Sequence, residues 1–94
     1  MALIVKVSNG RVQEYENGSQ KRSYGSNIIA ASTDGTLVAT VDKTGRVHEY
    51  VNGSMKRSYG NKAVNVQVSG GTVAVTLTDG RTQEYVNGSL RRSY

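Results

Sequence analysis

The chain has 94 residues, net charge +5, six tyrosines as its only aromatics, one histidine, and neither proline nor cysteine. A chain of this length buries roughly 60–65% of its unfolded surface, enough for one small domain; without cysteine it can hold no disulfide framework and no thiolate metal site. The longest apolar run is Ala2 to Val5 and the opening MALIVKV has no basic segment before a long apolar stretch, so neither a membrane span nor a secretory leader is expected and a cytoplasmic location is the default.

In chain order, the first expected strands are Ala2 to Ser8, Arg11 to Glu16 and Ser19 to Tyr24. Four follow at Ile28 to Thr33, Thr36 to Asp42, Arg46 to Val51 and Ser54 to Tyr59, and four more at Ala63 to Ser69, Thr72 to Thr78, Arg81 to Val86 and Ser89 to Tyr94. Apolar residues recur at every second position, as in Leu3, Val5, Val7 and in Val73, Val75, Leu77, which is the period of a half-buried strand. Turn pairs bound the runs: Asn9-Gly10, Asn17-Gly18, Asp34-Gly35, Asn52-Gly53, Gly70-Gly71, Asp79-Gly80 and Asn87-Gly88. Asn-Gly and Asp-Gly suit the two positive-φ positions of a type I′ hairpin turn. No helical period appears, and the chain reads as all-β.

Three stretches are nearly the same: GRVQEYENGSQKRSYG from Gly10, GRVHEYVNGSMKRSYG from Gly45 and GRTQEYVNGSLRRSY from Gly80, at a period of 35 residues. A fixed period of this size signals an array of one supersecondary unit. The strings NVQVSGGTVAVTLTDGRTQEYVNGSLRRSY and TDGTLVATVDKTGRVHEYVNG resemble β-propeller blades of the WD-repeat type, with Glu49-Tyr50 and Glu84-Tyr85 where that family has Trp-Asp. The resemblance implies antiparallel four-stranded blades: a partial blade over 1–25, lacking its innermost strand, and full blades over 26–60 and 61–94. A β-trefoil is the alternative. Propellers close with about 4–8 blades, so the partial set implies completion by homo-oligomerisation, with a dimer near six blades expected.

The repeats act as controls on each other. His48 answers to Gln13 and Gln83, and a lone histidine makes no metal site. No Ser-His-Asp set is assembled by the repeat, and the glycines precede no helix, so no catalytic, cofactor or metal residues are expected. Counting outward from a two-residue Asn-Gly turn places Glu14, Glu49 and Glu84 opposite Lys21, Lys56 and Arg91. The same count sets Arg11, Arg46 and Arg81 opposite Tyr24, Tyr59 and Tyr94, as possible cation–π pairs. It leaves Arg22, Arg57 and Arg92 without a carboxylate, a basic set that could meet phosphates or acidic proteins.

The expected function is therefore a non-catalytic binding or scaffold module, not an enzyme, formed by a self-assembled propeller. The alternatives are nucleic-acid or nucleotide (polyanion) binding through these arginines and tyrosines, and a fragment or engineered propeller whose only property is assembly.

Overall fold

The structure, a computed structural model, describes residues 3–94; Ala2, expected to open the first strand, lies outside the described residues. The described residues form eleven strands: β1 (Leu3–Ser8), β2 (Arg11–Glu16), β3 (Ser19–Tyr24), β4 (Ile28–Thr33), β5 (Leu37–Asp42), β6 (Val47–Val51), β7 (Ser54–Tyr59), β8 (Ala63–Ser69), β9 (Thr72–Leu77), β10 (Thr82–Val86) and β11 (Ser89–Ser93). These are the expected eleven, shortened by one residue at Thr36, Arg46, Thr78, Arg81 and Tyr94. They make three separate antiparallel sheets, β1-β2-β3, β4-β5-β6-β7 and β8-β9-β10-β11, each a simple meander. No barrel closes among the described residues, which sets aside the trefoil, a fold built on one. Among the described residues the first sheet has three strands: β1 pairs only with β2, whereas its counterparts β5 and β9 are each paired on both edges.

The sheets stack in chain order. β4 packs over β1, and β8 packs over β4 and β5, so each sheet's leading strand covers the sheet before it. Between the first two sheets lie Val12, Ile28, Val38 and Tyr50, with Leu3, Val5 and Val7 against them. Between the second and third lie Ala39, Val41, Val47, Ala63, Val66, Val68, Val73 and Val75. The middle sheet is buried on both faces, which explains why β5 runs LVATV without the alternation of its neighbours. Each fully buried valine contributes ~1.5–3 kcal/mol relative to exposure.

The turns divide by chemistry. Asn9, Asn17, Asn52 and Asn87 all have positive φ and precede a positive-φ glycine, as a type I′ turn requires. The Asp-Gly pairs do not behave this way: only Gly35 and Gly80 are left-handed, and the aspartates accept backbone N–H bonds instead. Asp34 Oδ1 accepts from Thr36 and Leu37, both at 2.9 Å, while its Oδ2 accepts from Gly71 of the next sheet at 2.9 Å.

The expected hairpin register fails at one point, and the failure recurs three times. From the Asn-Gly turn the pairing begins as counted, Glu16 with Ser19 and Tyr15 with Gln20, but then slips by one residue. Glu14 pairs with Arg22 and Val12 with Tyr24, leaving Lys21 as the extra residue of a β-bulge. The same bulge falls at Lys56, where Glu49 pairs with Arg57, and at Arg91, where Glu84 pairs with Arg92. A one-residue slip turns every later side chain to the opposite face. The Glu–Lys21, Glu–Lys56 and Glu–Arg91 pairs expected from simple counting are therefore corrected.

Candidate functional site

The bulge builds a three-residue cluster on the forward face of each sheet, the face turned toward the next sheet. In the first, the Arg22 guanidinium donates to Glu14 Oε1 at 2.6 Å and the Tyr24 hydroxyl donates to Glu14 Oε2. In the second, Arg57 donates to Glu49 Oε1 at 2.6 Å and the Tyr59 hydroxyl to Glu49 Oε2 at 2.5 Å. Glu14 and Glu49 are fully buried, and burying a carboxylate is tolerated only when its oxygens are matched in this way. No buried side-chain polar atom lacks a partner among the described residues. Burial first, and then the hydrogen bond to the neighbouring carboxylate, push the Tyr24 and Tyr59 hydroxyls well above the ordinary tyrosine range.

The first two clusters also grip the following sheet. The Tyr24 ring lies against the Tyr50 ring at 4.5 Å between centroids, tilted by 39°. Tyr59 meets Tyr85 the same way, at 4.5 Å and 34°. Such pairs add ~0.5–1.5 kcal/mol beyond the area they bury. The arginine stems run across the next sheet's Asn-Gly turn: a Cβ on Gly53 would stand 2.7 Å from Arg22 Cδ, and one on Gly88 would stand 2.7 Å from Arg57 Cδ. Glycine is thus required at these turns twice, for its backbone and for the room it leaves.

The third cluster is built but covered by nothing among the described residues. Arg92 donates to Glu84 Oε1 at 3.0 Å and the Tyr94 hydroxyl to Glu84 Oε2 at 2.6 Å. Its arginine and tyrosine are open, while Glu84 stays mostly covered: the Arg92 side chain is 67% exposed, where those of Arg22 and Arg57 are 28% and 27%.

The slip also resolves the remaining expected residues. Arg22, Arg57 and Arg92 are not left without carboxylates; they hold Glu14, Glu49 and Glu84. Tyr24, Tyr59 and Tyr94 do not face Arg11, Arg46 and Arg81 as cation–π partners. Those arginines bond instead to Ser23, Ser58 and Ser93: Arg11 Nε to Ser23 Oγ at 3.2 Å, Arg46 to Ser58 Oγ at 3.2 and 3.3 Å, and Arg81 to Ser93 Oγ at 3.0 Å. The cation–π contact present among the described residues is Lys6 over Tyr15, 5.2 Å from the ring centroid.

Counting residues along the hairpin also missed a polar row in the middle sheet. With the bulge in place His48 lies opposite Ser58, whose hydroxyl is 3.0 Å from His48 Nδ1, while His48 Nε2 is 2.8 Å from Asp42 Oδ2. Asp42 caps its own turn, accepting from Thr44 N at 2.9 Å, Thr44 Oγ1 at 2.6 Å and Arg46 N at 3.1 Å. Burial alone would raise the Asp42 carboxyl, but the bonds from Thr44, His48 and Arg46 outweigh it and hold the group down at about 2. Ser58 Oγ is at the same time the acceptor for Arg46, and the first and third sheets keep that Arg–Ser bond with glutamine in place of His48. No group of three or more metal-ligating side chains occurs among the described residues, and none of their helices is long and apolar enough to cross a membrane.

A family model described as Helicobacter pylori IceA2 protein matches residues 1–53 and again residues 43–94, together the whole chain. The chain belongs to the IceA2 family. The two overlapping matches fit a family unit that the 35-residue repeat reproduces more than once. No curated protein matches the chain.

Proposed function

We propose that this chain is a non-catalytic binding or scaffold module whose blade-like sheets form a propeller by assembling with a copy of itself, in the cytoplasm. The observation that supports it best is the unfinished stack. Among the described residues the first sheet carries an unpaired β1 edge where the other two have a fourth strand, and the third sheet presents its forward face to solvent. Open edges and uncovered faces favour association, and two copies bring the number of blades to about six, within the range over which propellers close.

The polar row does not favour hydrolysis. Its serine is engaged by Arg46, as the corresponding serines are by Arg11 and Arg81 in sheets that lack histidine, so His48 and Asp42 serve to fasten the turn before β6. Polyanion binding through Arg22, Arg57 and Arg92 is the weaker reading, because each guanidinium already neutralises a glutamate. Native mass spectrometry across a concentration series tests the proposal. A discrete dimer is expected, and a folded monomer at every concentration would refute it.

A further inference from the structure

Resting on the self-assembly just proposed, we infer that copies join head to tail through a third instance of the latch seen inside the chain, with the Glu84–Arg92–Tyr94 cluster of one copy docking on Tyr15 and the Asn17-Gly18 turn of the next.

The two ends of the stack carry complementary halves of one contact. The forward half is complete on the third sheet, where Arg92 and Tyr94 already hold Glu84 in the arrangement that Arg22–Glu14–Tyr24 and Arg57–Glu49–Tyr59 adopt. The rear half lies on the first sheet. In the two internal latches it consists of a tyrosine on the third strand of the unit, Tyr50 or Tyr85, and the glycine of the turn that follows, Gly53 or Gly88. The equivalent residues of the first unit are Tyr15 and Gly18. Among the described residues a Cβ on Gly18 would meet nothing within 4 Å, where its counterparts would strike an arginine, so none of them fills the seat for an arginine stem.

Around that seat, Ile4, Lys6, Tyr15, Asn17 and Gly18 line a shallow apolar hollow, and Ile4 is 61% exposed. The counterparts of Ile4 are Val38 and Val73, both buried against the preceding sheet. An exposed isoleucine in a position that is otherwise covered marks a surface with a missing cover. The contact is heterologous: each copy offers one forward and one rear half. The occupant that fits is a second copy of this chain, because the interface is a continuation of the one repeated within it.

The test uses the 94-residue chain with two variants on each half: Arg92→Ala and Tyr94→Ser on the forward face, Tyr15→Ser and Gly18→Asn on the rear. Asparagine accepts the left-handed backbone at Gly18 but places a side chain where Arg92 would lie. All four sites are away from the internal cores, and circular dichroism checks that folding is retained. Sedimentation velocity should show the dimer dissociation constant rising about tenfold or more in each variant, as for anchor residues at an interface. Mixing Arg92→Ala with Gly18→Asn should restore a one-to-one complex, since that pair still contains one intact junction.

A dimer that none of the four variants weakens overturns the latch but leaves self-assembly standing, and directs attention to the open β1 edge. Failure of the mixture to associate overturns the head-to-tail arrangement. A wild-type chain that stays monomeric at all concentrations overturns both.

Discussion

Glu49→Gln isolates what a buried carboxylate contributes to joining two sheets. Glutamine keeps the size of the side chain, so no cavity opens, and Tyr59 can still donate to an amide oxygen. What is lost is the charge on a carboxylate closed to water, which the Arg57 guanidinium meets at 2.6 Å. A hydrogen bond involving a charged group contributes ~1.5–3 kcal/mol. Leaving the Arg57 charge less well matched adds to the loss, though its partial exposure moderates that part. The expected cost is about 2–3 kcal/mol, a large share of the ~5–15 kcal/mol typical of a small domain. With an m value of ~1–2 kcal/mol per molar urea, the midpoint should fall by about 1–3 M.

Glu84→Gln is the matched control, because the same three residue types make the same bonds where the arginine and the tyrosine are exposed and the glutamate is only partly buried. Solvent screens that pair, so the loss in a dilute monomer should be only ~0–1 kcal/mol. Urea unfolding followed by circular dichroism at two protein concentrations gives both values. Equal losses for the two variants at the lower concentration would refute the assignment of the effect to burial. A Glu84→Gln cost that grows with protein concentration would show the third cluster becoming covered.

Three further outcomes are expected. Gly53→Ala should destabilise more than Gly35→Ala by about 1 kcal/mol or more, because both strain a positive φ but only Gly53 also crowds Arg22; thermal melts of the two variants decide it. Asp42 has its carboxyl held at about 2, below the ordinary 3.8, so its stabilisation is present above pH 4 and is lost as pH falls toward 2; the stability gap between wild type and Asp42→Asn should close over that window in acid-unfolding curves. Tyr59 is raised above the ordinary tyrosine value of 10.0, so its contribution is full below pH 10 and fades at higher pH; Tyr59→Phe should cost ~1–2 kcal/mol at pH 7 and lose stability less steeply above pH 10, read by denaturant titration at both pH values.

The strands were legible because their signals are local. Alternating valines and Asn-Gly pairs fix where each hairpin begins and which way it turns, and all eleven strands follow from them. The buried clusters were not legible, for a single reason. A bulge adds one residue to one strand with no mark in composition, and counting outward from the turn carries the error to every later pair. That one slip hid the partners of Glu14, Glu49 and Glu84, made Arg22, Arg57 and Arg92 look unoccupied, and hid the pairing of His48 with Ser58. A sharper reading was available in principle. Counted without the slip, each glutamate faces a lysine or arginine while two bulky polar residues, an arginine and a tyrosine, both turn away from it. A buried glutamate with two unused donors two residues apart argues for a register that brings both onto its face.

The forward faces also differ in a way that bears on how tightly copies can join. Val7 pairs with Val12 and Val41 with Val47 where the first two sheets turn toward a neighbour, but the equivalent pair in the third sheet is Thr76 with Thr82. Val12, Val41 and Val47 are completely buried, whereas Thr76 and Thr82 remain partly exposed. Replacing two buried valines by threonines removes methyl groups worth ~0.8 kcal/mol each and adds hydroxyls that must keep a partner or water. The first sheet, moreover, brings no leading strand to such a junction, although β4 and β8 provide much of the contact inside the chain. What the third forward face retains without change is the polar and aromatic latch. A junction that keeps the directional part of an interface and gives up much of the apolar part has its geometry specified and its affinity reduced. It follows that association between copies should be weaker than cohesion between sheets, reversible at accessible concentrations, and more sensitive to changes at Arg92, Tyr94, Tyr15 and Gly18 than to changes in the threonines around them.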